Sequence, residues 1–163
     1  KMHSEYLRSM YLNNDLSAGR FKVDGRVASI SDIKVPIFAV GTRRDHVAPW
    51  QSVYKLHLLA DTDITFILTR GGHNAGIVSE PGHKGRSFQK MTYTHGTPYF
   101  SPQQWREVAE ETAGSWWPEW SQWLKTLSGT HIPASDREPS LISIKGNLLD
   151  KMIEAPGTYV FQH

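Results

Sequence analysis

The chain has 163 residues, of which 39% are hydrophobic and 21% charged, so its length suits one domain and its composition favours a soluble globular protein. Its 18 basic and 16 acidic side chains give a formal charge of +2 without a basic run, which argues against nucleic-acid binding. The absence of cysteine excludes a disulfide framework and a thiolate metal site, and no apolar stretch approaches the ~18 residues of a transmembrane segment.

The first elements along the chain are a helix and a hairpin. Residues 4–16 predict a helix because apolar side chains recur at helical spacing, and Gly19 is placed to end it. Residues 20–30 contain Asp24-Gly25 between two short alternating runs, which predicts a β-hairpin.

The middle of the chain predicts a βαβ unit. Residues 35–41 form a nearly continuous apolar run, as in a strand of a parallel sheet that is buried on both faces, and residues 64–69 form a second run. Residues 49–59 between them predict a helix with Pro49 in its first turn. This order indicates an α/β fold with a parallel strand pair, flanking helices and an incomplete sheet.

After Thr69 the chain is predicted to be loop-rich to about Phe100. A helix then begins at Ser101, with Pro102 at its first position and Gln104 completing a capping box, and runs to about Thr112.

A last helix is predicted to start at Pro118 and to stop at Gly129, followed by an irregular tail over 130–163. The helical spacing of Trp116, Trp120 and Trp123 favours a core-facing stripe over the lining of an acyl or polymer channel.

Two side chains with catalytic chemistry follow the two predicted parallel strands. Asp45 comes after the first strand and His73 after the second, at the carboxyl ends where open α/β sheets build their sites. An imidazole can take a proton from a nucleophile and return it to a leaving group, while a carboxylate on its other nitrogen fixes the tautomer. The order also matches the acid and histidine of an α/β-hydrolase. Spacing alone leaves open whether the pair is catalytic or structural.

Several other residues have weaker claims. His46 and Asn74 are secondary candidates because each neighbours a member of the pair, whereas His57 lies in a predicted helix as a surface or core residue. His83 and His95 fall in predicted loops. Histidine and carboxylate spacings do not indicate a metal site, and a cofactor is not expected.

Six segments resemble the carboxy-terminal region of polyhydroxyalkanoate synthases and occur in the same order: Asn13–Leu16, Asp32–Pro36, Gly41–Trp50, Gly71–Ile77, Gly114–Pro118 and Ala155–Val160. The resemblance covers nearly the whole chain. It implies that residues 1–163 are a single carboxy-terminal fragment of an α/β-hydrolase-type catalytic domain. It also implies a cytoplasmic, granule-associated, dimeric acyltransferase that polymerises 3-hydroxyacyl-CoA and releases CoA.

The resemblance further implies a Cys-Asp-His triad in which Asp45 is the acid and His73 the base. Either His or Asp is implied to activate the hydroxyl of the growing chain. The chain has no cysteine, so we expect the fragment alone to be inactive and to cover its strand edges by pairing with another copy or by rearranging its helices. Lys1 before Met2 also indicates that the chain begins inside a longer polypeptide.

Two alternatives remain open at this point: the end of another α/β-hydrolase, such as a polyester depolymerase or thioesterase, and a non-catalytic assembly module. Arg43, Arg44 and Arg70 lie near the expected site, where they would contact CoA or would be solvated loop residues.

Overall fold

The structure, a computed structural model, describes residues 1–131. The chain divides into two compact units, Lys1–Leu127 and Ser128–His163, and every element below belongs to the first unit. Apart from Thr130 and His131, the tail predicted to be irregular lies outside the described residues, as does the Ala155–Val160 segment.

The amino-terminal helix and the hairpin form as predicted. Helix α1 spans Met2–Tyr6 and continues in wider, π-type turns over Leu7–Leu12, so it ends earlier than expected. Strands β1 (Lys22–Val23) and β2 (Arg26–Val27) pair antiparallel. Asp24 and Gly25 between them have φ of 48° and 77°, the left-handed pair that a tight type I′ turn requires.

The βαβ unit is present. Strand β3 (Ile37–Thr42) leads to helix α2 (Trp50–Tyr54), which tightens into a 3₁₀ turn over Lys55–Leu58 before strand β4 (Ile64–Thr69). The two strands pair in parallel and in register from first residue to last. Their carboxyl ends therefore lie side by side.

The sheet is larger than the sequence predicted. Strand β5 (Ser87–Tyr93) pairs antiparallel with β4, and strand β6 (Glu110–Ala113) pairs antiparallel with β5. The strand order of the sheet is therefore β3-β4-β5-β6. The prediction of a loop-rich segment to Phe100 therefore missed β5, although residues 70–86 and 94–100 contain neither helix nor strand. Helix α3 (Pro102–Val108) begins with the predicted capping box, but it ends before β6 rather than at Thr112. The reason is that pairing with β5 draws residues 110–113 into the sheet.

Helices cover both faces of β4, which is buried along its whole length. One face packs against α2 and α3 in a cluster of Ala39, Trp50, Tyr54, Ile64, Phe66, Leu68, Trp105 and Ala109. The opposite face packs against the start of helix α4 (Trp117–Leu127) in a second cluster of Ile67, Phe88 and Trp116. The chain is therefore an α/β protein. Strand β3 is only half-buried at Phe38 and Val40, contrary to the prediction, because it is an edge strand of the described sheet.

The tryptophan stripe is only partly core. Trp116 is 7% exposed and stacks on Phe38, and the Trp123 ring also lies against Phe38 at 5.5 Å between centroids. Trp120, in contrast, is 44% exposed, so the prediction was wrong for that residue. Within residues 1–131, no helix combines the length and the apolar character needed to cross a membrane.

His57 gives the fold a specific response to pH. The residue is 8% exposed, and its ring lies on that of Tyr54 with 4.1 Å between the centroids. His57 Nδ1 donates to the Tyr54 carbonyl, while Nε2 is buried without a partner in the described part of the chain. Burial lowers the pKa of His57 below its usual value of 6.5. Below pH 6.5, His57 therefore binds a proton more readily in the unfolded chain than in the folded chain. The free energy of unfolding thus falls as the pH drops below 6.5.

We expect His57→Phe to flatten this pH dependence, because phenylalanine keeps an aromatic ring on Tyr54 without a titrating group. Urea unfolding at a series of pH values between neutrality and mild acid measures it. The matched variant is His46→Gln, at an exposed histidine, which should retain the wild-type slope. Equal slopes in wild type and His57→Phe would contradict the assignment.

Candidate active site

The carboxyl ends of β3 and β4 carry the two predicted loops at one edge of the sheet. The loops are joined by backbone hydrogen bonds: the Arg43 N–H donates to the Thr69 carbonyl and the Arg44 N–H to the Gly71 carbonyl, both at 2.9 Å. Parallel pairing of β3 with β4 therefore brings the loop that holds Asp45 against the loop that holds His73.

Asp45 and His73 are hydrogen-bonded, with 2.9 Å between Asp45 Oδ2 and His73 Nδ1. The other carboxylate oxygen, Oδ1, accepts from the backbone N–H groups of Val47 at 2.8 Å and Ala48 at 2.9 Å. Both carboxylate oxygens therefore face donors, which holds the carboxylate in one orientation. The Asp45 side chain is 8% exposed, whereas that of His73 is 48% exposed and open to an incoming group.

These contacts keep Asp45 ionised. The Ala48 N–H and then the His73 side chain lower the pKa of Asp45 to about 2, against a smaller opposing effect of burial. The stabilisation from ionised Asp45 is thus fully present above its usual pKa of 3.8 and is lost as the pH falls through about 2. Because an ionised carboxylate only accepts, His73 must donate from Nδ1, which leaves Nε2 able to take a proton.

Two other histidines also contact carboxylates in the described part of the chain. His83 Nδ1 lies 2.7 Å from Glu80 and His95 Nδ1 lies 3.2 Å from Asp61, but those carboxylate side chains are 55% and 53% exposed. Exposed pairs of this kind are weak and mobile. Asp45 differs from both because it is buried, doubly held by backbone donors and placed at the carboxyl end of a parallel strand.

The secondary candidates have other surroundings. His46 is exposed beside Asp45. Asn74 is also exposed at its side chain, and its backbone carbonyl accepts from the N–H groups of Ile77 and Val78, which closes a helical turn just after His73.

The three arginines near the site also differ. The Arg43 side chain binds residues of β5 and β6: its Nη2 lies 3.0 Å from Gln89 Oε1 and 3.1 Å from Glu111 Oε1. Arg44 and Arg70 are exposed. Among residues 1–131, no cluster of three or more histidine or acidic side chains has a geometry that could hold a metal ion.

The loop glycines have unequal roles. Gly71 has a φ of 151°, and a Cβ there would lie 2.7 Å from Gly76 Cα. A Cβ on Gly76 would meet Thr42 Cγ2 at 2.5 Å and Thr69 Oγ1 at 2.6 Å, whereas one on Gly72 would meet only the Arg44 carbonyl oxygen, at 3.9 Å. The constraint on Gly76 is not visible in the local sequence, because it arises from the side chains of Thr42 and Thr69 at the ends of both strands.

We therefore expect Gly76→Ala to lower the free energy of unfolding by about 1–3 kcal/mol, because two strand-end side chains must move to admit the methyl group. Gly72→Ala adds the same methyl group to the same loop where space is available, and it should change stability by no more than about 0.5 kcal/mol. Urea titration of both variants measures the difference. Equal losses of unfolding free energy in Gly76→Ala and Gly72→Ala would contradict the idea that close packing around Gly76 excludes a larger side chain.

These features define an α/β protein with a carboxylate–histidine pair at the carboxyl edge of two parallel strands. No family model matches the chain. Curated relatives do match it. It is 38% identical over 97% of its length to the poly(3-hydroxyalkanoate) polymerase subunit PhaC of Rhizobium meliloti, covering 24% of that protein. It is 36% identical over 97% of its length to the poly(3-hydroxyalkanoate) polymerase of Methylorubrum extorquens, covering 24% of it.

A third relative, the poly(3-hydroxyalkanoate) polymerase subunit PhaC of Cupriavidus necator, is 36% identical over 95% of the chain and 25% of its own length. The chain is thus similar to these poly(3-hydroxyalkanoate) polymerases along nearly all of its own sequence. It spans about a quarter of the length of the curated relatives it matches.

Proposed function

We propose that this chain is the carboxy-terminal part of a poly(3-hydroxyalkanoate) polymerase with an α/β-hydrolase fold, and that it supplies Asp45 and His73 to a Cys-Asp-His triad. The observation that carries the proposal is the hydrogen bond between His73 Nδ1 and Asp45 Oδ2, in loops that follow adjacent parallel strands. The similarity to named polymerases supports the reaction class.

The proposed first half-reaction uses a cysteine thiol from another part of the polypeptide, because these 163 residues contain none. His73 Nε2 takes the thiol proton, and the thiolate attacks the thioester carbonyl of 3-hydroxyacyl-CoA. The carbon–sulfur bond to CoA breaks, and the CoA thiolate leaves with the proton from His73. The product is an acyl group bound as a thioester to the cysteine. Without the cysteine this chain alone is inactive.

In the second half-reaction a hydroxyl of another hydroxyacyl unit attacks that thioester, an ester bond forms and the cysteine sulfur is released. Within the proposal, His73 rather than Asp45 accepts the hydroxyl proton. Both oxygens of Asp45 are already hydrogen-bonded and its side chain is 8% exposed, whereas His73 is half-exposed and has Nε2 to offer. Ionised Asp45 stabilises the imidazolium that forms in each step.

The resemblance extends the proposal to a cytoplasmic enzyme that is a homo-oligomer and associates with polymer granules. Strand β3 is an edge of the described sheet, which makes it available for pairing with another copy or with another part of a longer chain. Light scattering of the chain at micromolar concentration tests the pairing with another copy, which a monomer would exclude.

The test of function replaces the matching quarter of the Methylorubrum extorquens polymerase with this chain and follows CoA release from 3-hydroxybutyryl-CoA. We expect release by the graft and none by the chain alone. A graft that folds, as judged by circular dichroism, but releases no CoA would overturn the proposal. It would favour a non-catalytic assembly module, and hydrolysis of polyester without CoA release would favour a depolymerase.

A further inference from the structure

The loop that carries His73 accepts hydrogen bonds from the side chains of residues 115–117, at the start of α4. The carbonyl of Gly76 accepts the indole N–H of Trp116 at 3.1 Å, and the next carbonyl, that of Ile77, accepts the indole N–H of Trp117 at 3.0 Å. The hydroxyl of Ser115 donates to the carbonyl of Ser79. Three consecutive side chains, far away in the sequence, thus donate to three backbone carbonyls just after His73.

The contact from Trp116 is the buried one. Its side chain is 7% exposed and packs against Phe38 of β3, in the same cluster as Ile67 and Phe88. The Gly76 carbonyl also accepts from the Thr69 hydroxyl at 2.9 Å, so both of its lone pairs have a donor. An unpaired group in such a buried site is costly, which makes this attachment point hard to release.

The attachment bears directly on the histidine. Gly76 donates its N–H to the Gly72 carbonyl at 3.0 Å, and Ile77 and Val78 donate to the Asn74 carbonyl at 3.0 and 2.9 Å. His73 lies inside this helical turn. The two residues whose carbonyls accept the indole N–H groups, Gly76 and Ile77, also close the turn through their own N–H groups. Trp116 also packs on the strand that leads to Asp45, and it therefore connects the supports of both members of the pair.

We propose that Trp116 is a positioning residue for His73: its indole N–H holds the catalytic loop in register with β3, so that Nδ1 stays on Asp45 and Nε2 faces the reacting groups. Trp117 gives the same support one residue later and from a more exposed position. This inference rests on the proposed function of the Asp45–His73 pair. It adds Trp116 to the site, although Trp116 lies outside the sequence segments around Asp45 and His73.

The direct test is the tautomer ratio of His73, measured by long-range ¹H–¹⁵N NMR on the chain. In the wild type the Nδ1–H tautomer should dominate. Trp116→Phe keeps an aromatic ring against Phe38 but removes the donor, and it should shift the ratio toward Nε2–H by roughly two- to tenfold, the effect of one lost hydrogen bond. An unchanged ratio in folded Trp116→Phe would overturn the proposal.

The matched control is Trp105→Phe. Trp105 is fully buried in the opposite layer, and its indole N–H has no hydrogen-bond partner in the part of the chain that the structure describes. The substitution removes the same atoms from a buried site without touching the loop, so the His73 tautomer ratio should stay at its wild-type value. If Trp116→Phe fails to fold, Trp117→Phe decides the question: it should shift the ratio in the same direction, and no shift would overturn the proposal.

Kinetics of the grafted polymerase separate this inference from the proposed function. Trp116→Phe should lower kcat for CoA release by roughly two- to tenfold with KM unchanged, because the loop positions the base rather than the substrate. A change in KM alone would overturn the positioning role. A wild-type chain in which His73 is not mainly the Nδ1–H tautomer would instead count against the Asp45–His73 pair itself.

Discussion

His73→Ala in the grafted polymerase is expected to lower kcat for CoA release by about 100- to 10,000-fold, the usual contribution of a positioned general base. In the proposed mechanism, the variant removes the group that takes the thiol proton and returns it to CoA. The half-exposed His73 side chain contributes little to the core. Stopped-flow measurement of CoA release under saturating 3-hydroxybutyryl-CoA gives kcat directly.

His83→Ala is the matched control. His83 also contacts a carboxylate through Nδ1, at 2.7 Å from Glu80, but both side chains are exposed and neither belongs to the Asp45–His73 pair. This variant should retain wild-type kcat. Comparable losses in the two variants would show that histidine removal acts through the fold and not through the triad.

Asp45→Asn tests the same pair by a different mechanism. The N–H groups of Val47 and Ala48 need an acceptor, so the amide oxygen turns toward them and the amide nitrogen faces His73. His73 must then accept through Nδ1 and carry its proton on Nε2, where it cannot take one from a thiol. We expect a loss of about 100-fold or more in kcat.

The second large effect is on stability. Trp105→Ala should lower the free energy of unfolding by about 3–5 kcal/mol, because it deletes a large side chain from a packed interior and leaves a cavity. The Trp105 ring is fully buried and contacts the rings of Trp50, Tyr54 and Phe66. It therefore connects α3 to α2 and to the central strand. Urea denaturation followed by circular dichroism measures the loss.

Trp120→Ala is the comparison at the surface. Trp120 is 44% exposed and its ring lies 6.1 Å from that of Trp116, so truncation should cost no more than about 1.5 kcal/mol. The two variants make the same chemical change in different surroundings. Equal losses would contradict the division of the tryptophans into a buried and an exposed set.

Features that depend on local sequence were predictable. The Ser101 cap of α3 is made by residues within three positions of each other, and the turn at Asp24-Gly25 is equally local. The two apolar runs predicted β3 and β4 as strands, although burial on both faces, which was predicted for β3, is found along β4 instead. The order of Asp45 and His73 after these two strands then indicated the candidate site, because parallel pairing requires the two carboxyl ends to meet.

The strands β5 and β6 could not be predicted because the local preferences of their residues do not favour buried strands. Gln89 is buried, since its side-chain nitrogen donates to the carbonyls of Arg106 and Ala109 and its oxygen lies 3.0 Å from Arg43 Nη2. Glu110 and Glu111 favour a helix, yet their backbone pairs with β5. In each case a partner far along the chain outweighs the local preference.

By itself the sequence determined the βαβ unit, the cap of α3 and the order of the acid and the histidine, because each depends on neighbours or on burial patterns along one segment. The tertiary structure alone decided how the pair is held. The backbone donors on Asp45 and the close packing at Gly76 depend on loop geometry, and the indole that reaches the Gly76 carbonyl comes from Trp116, 40 residues away. Such contacts exist only after β3, β4 and α4 have packed together, so they could not be predicted from composition and residue spacing.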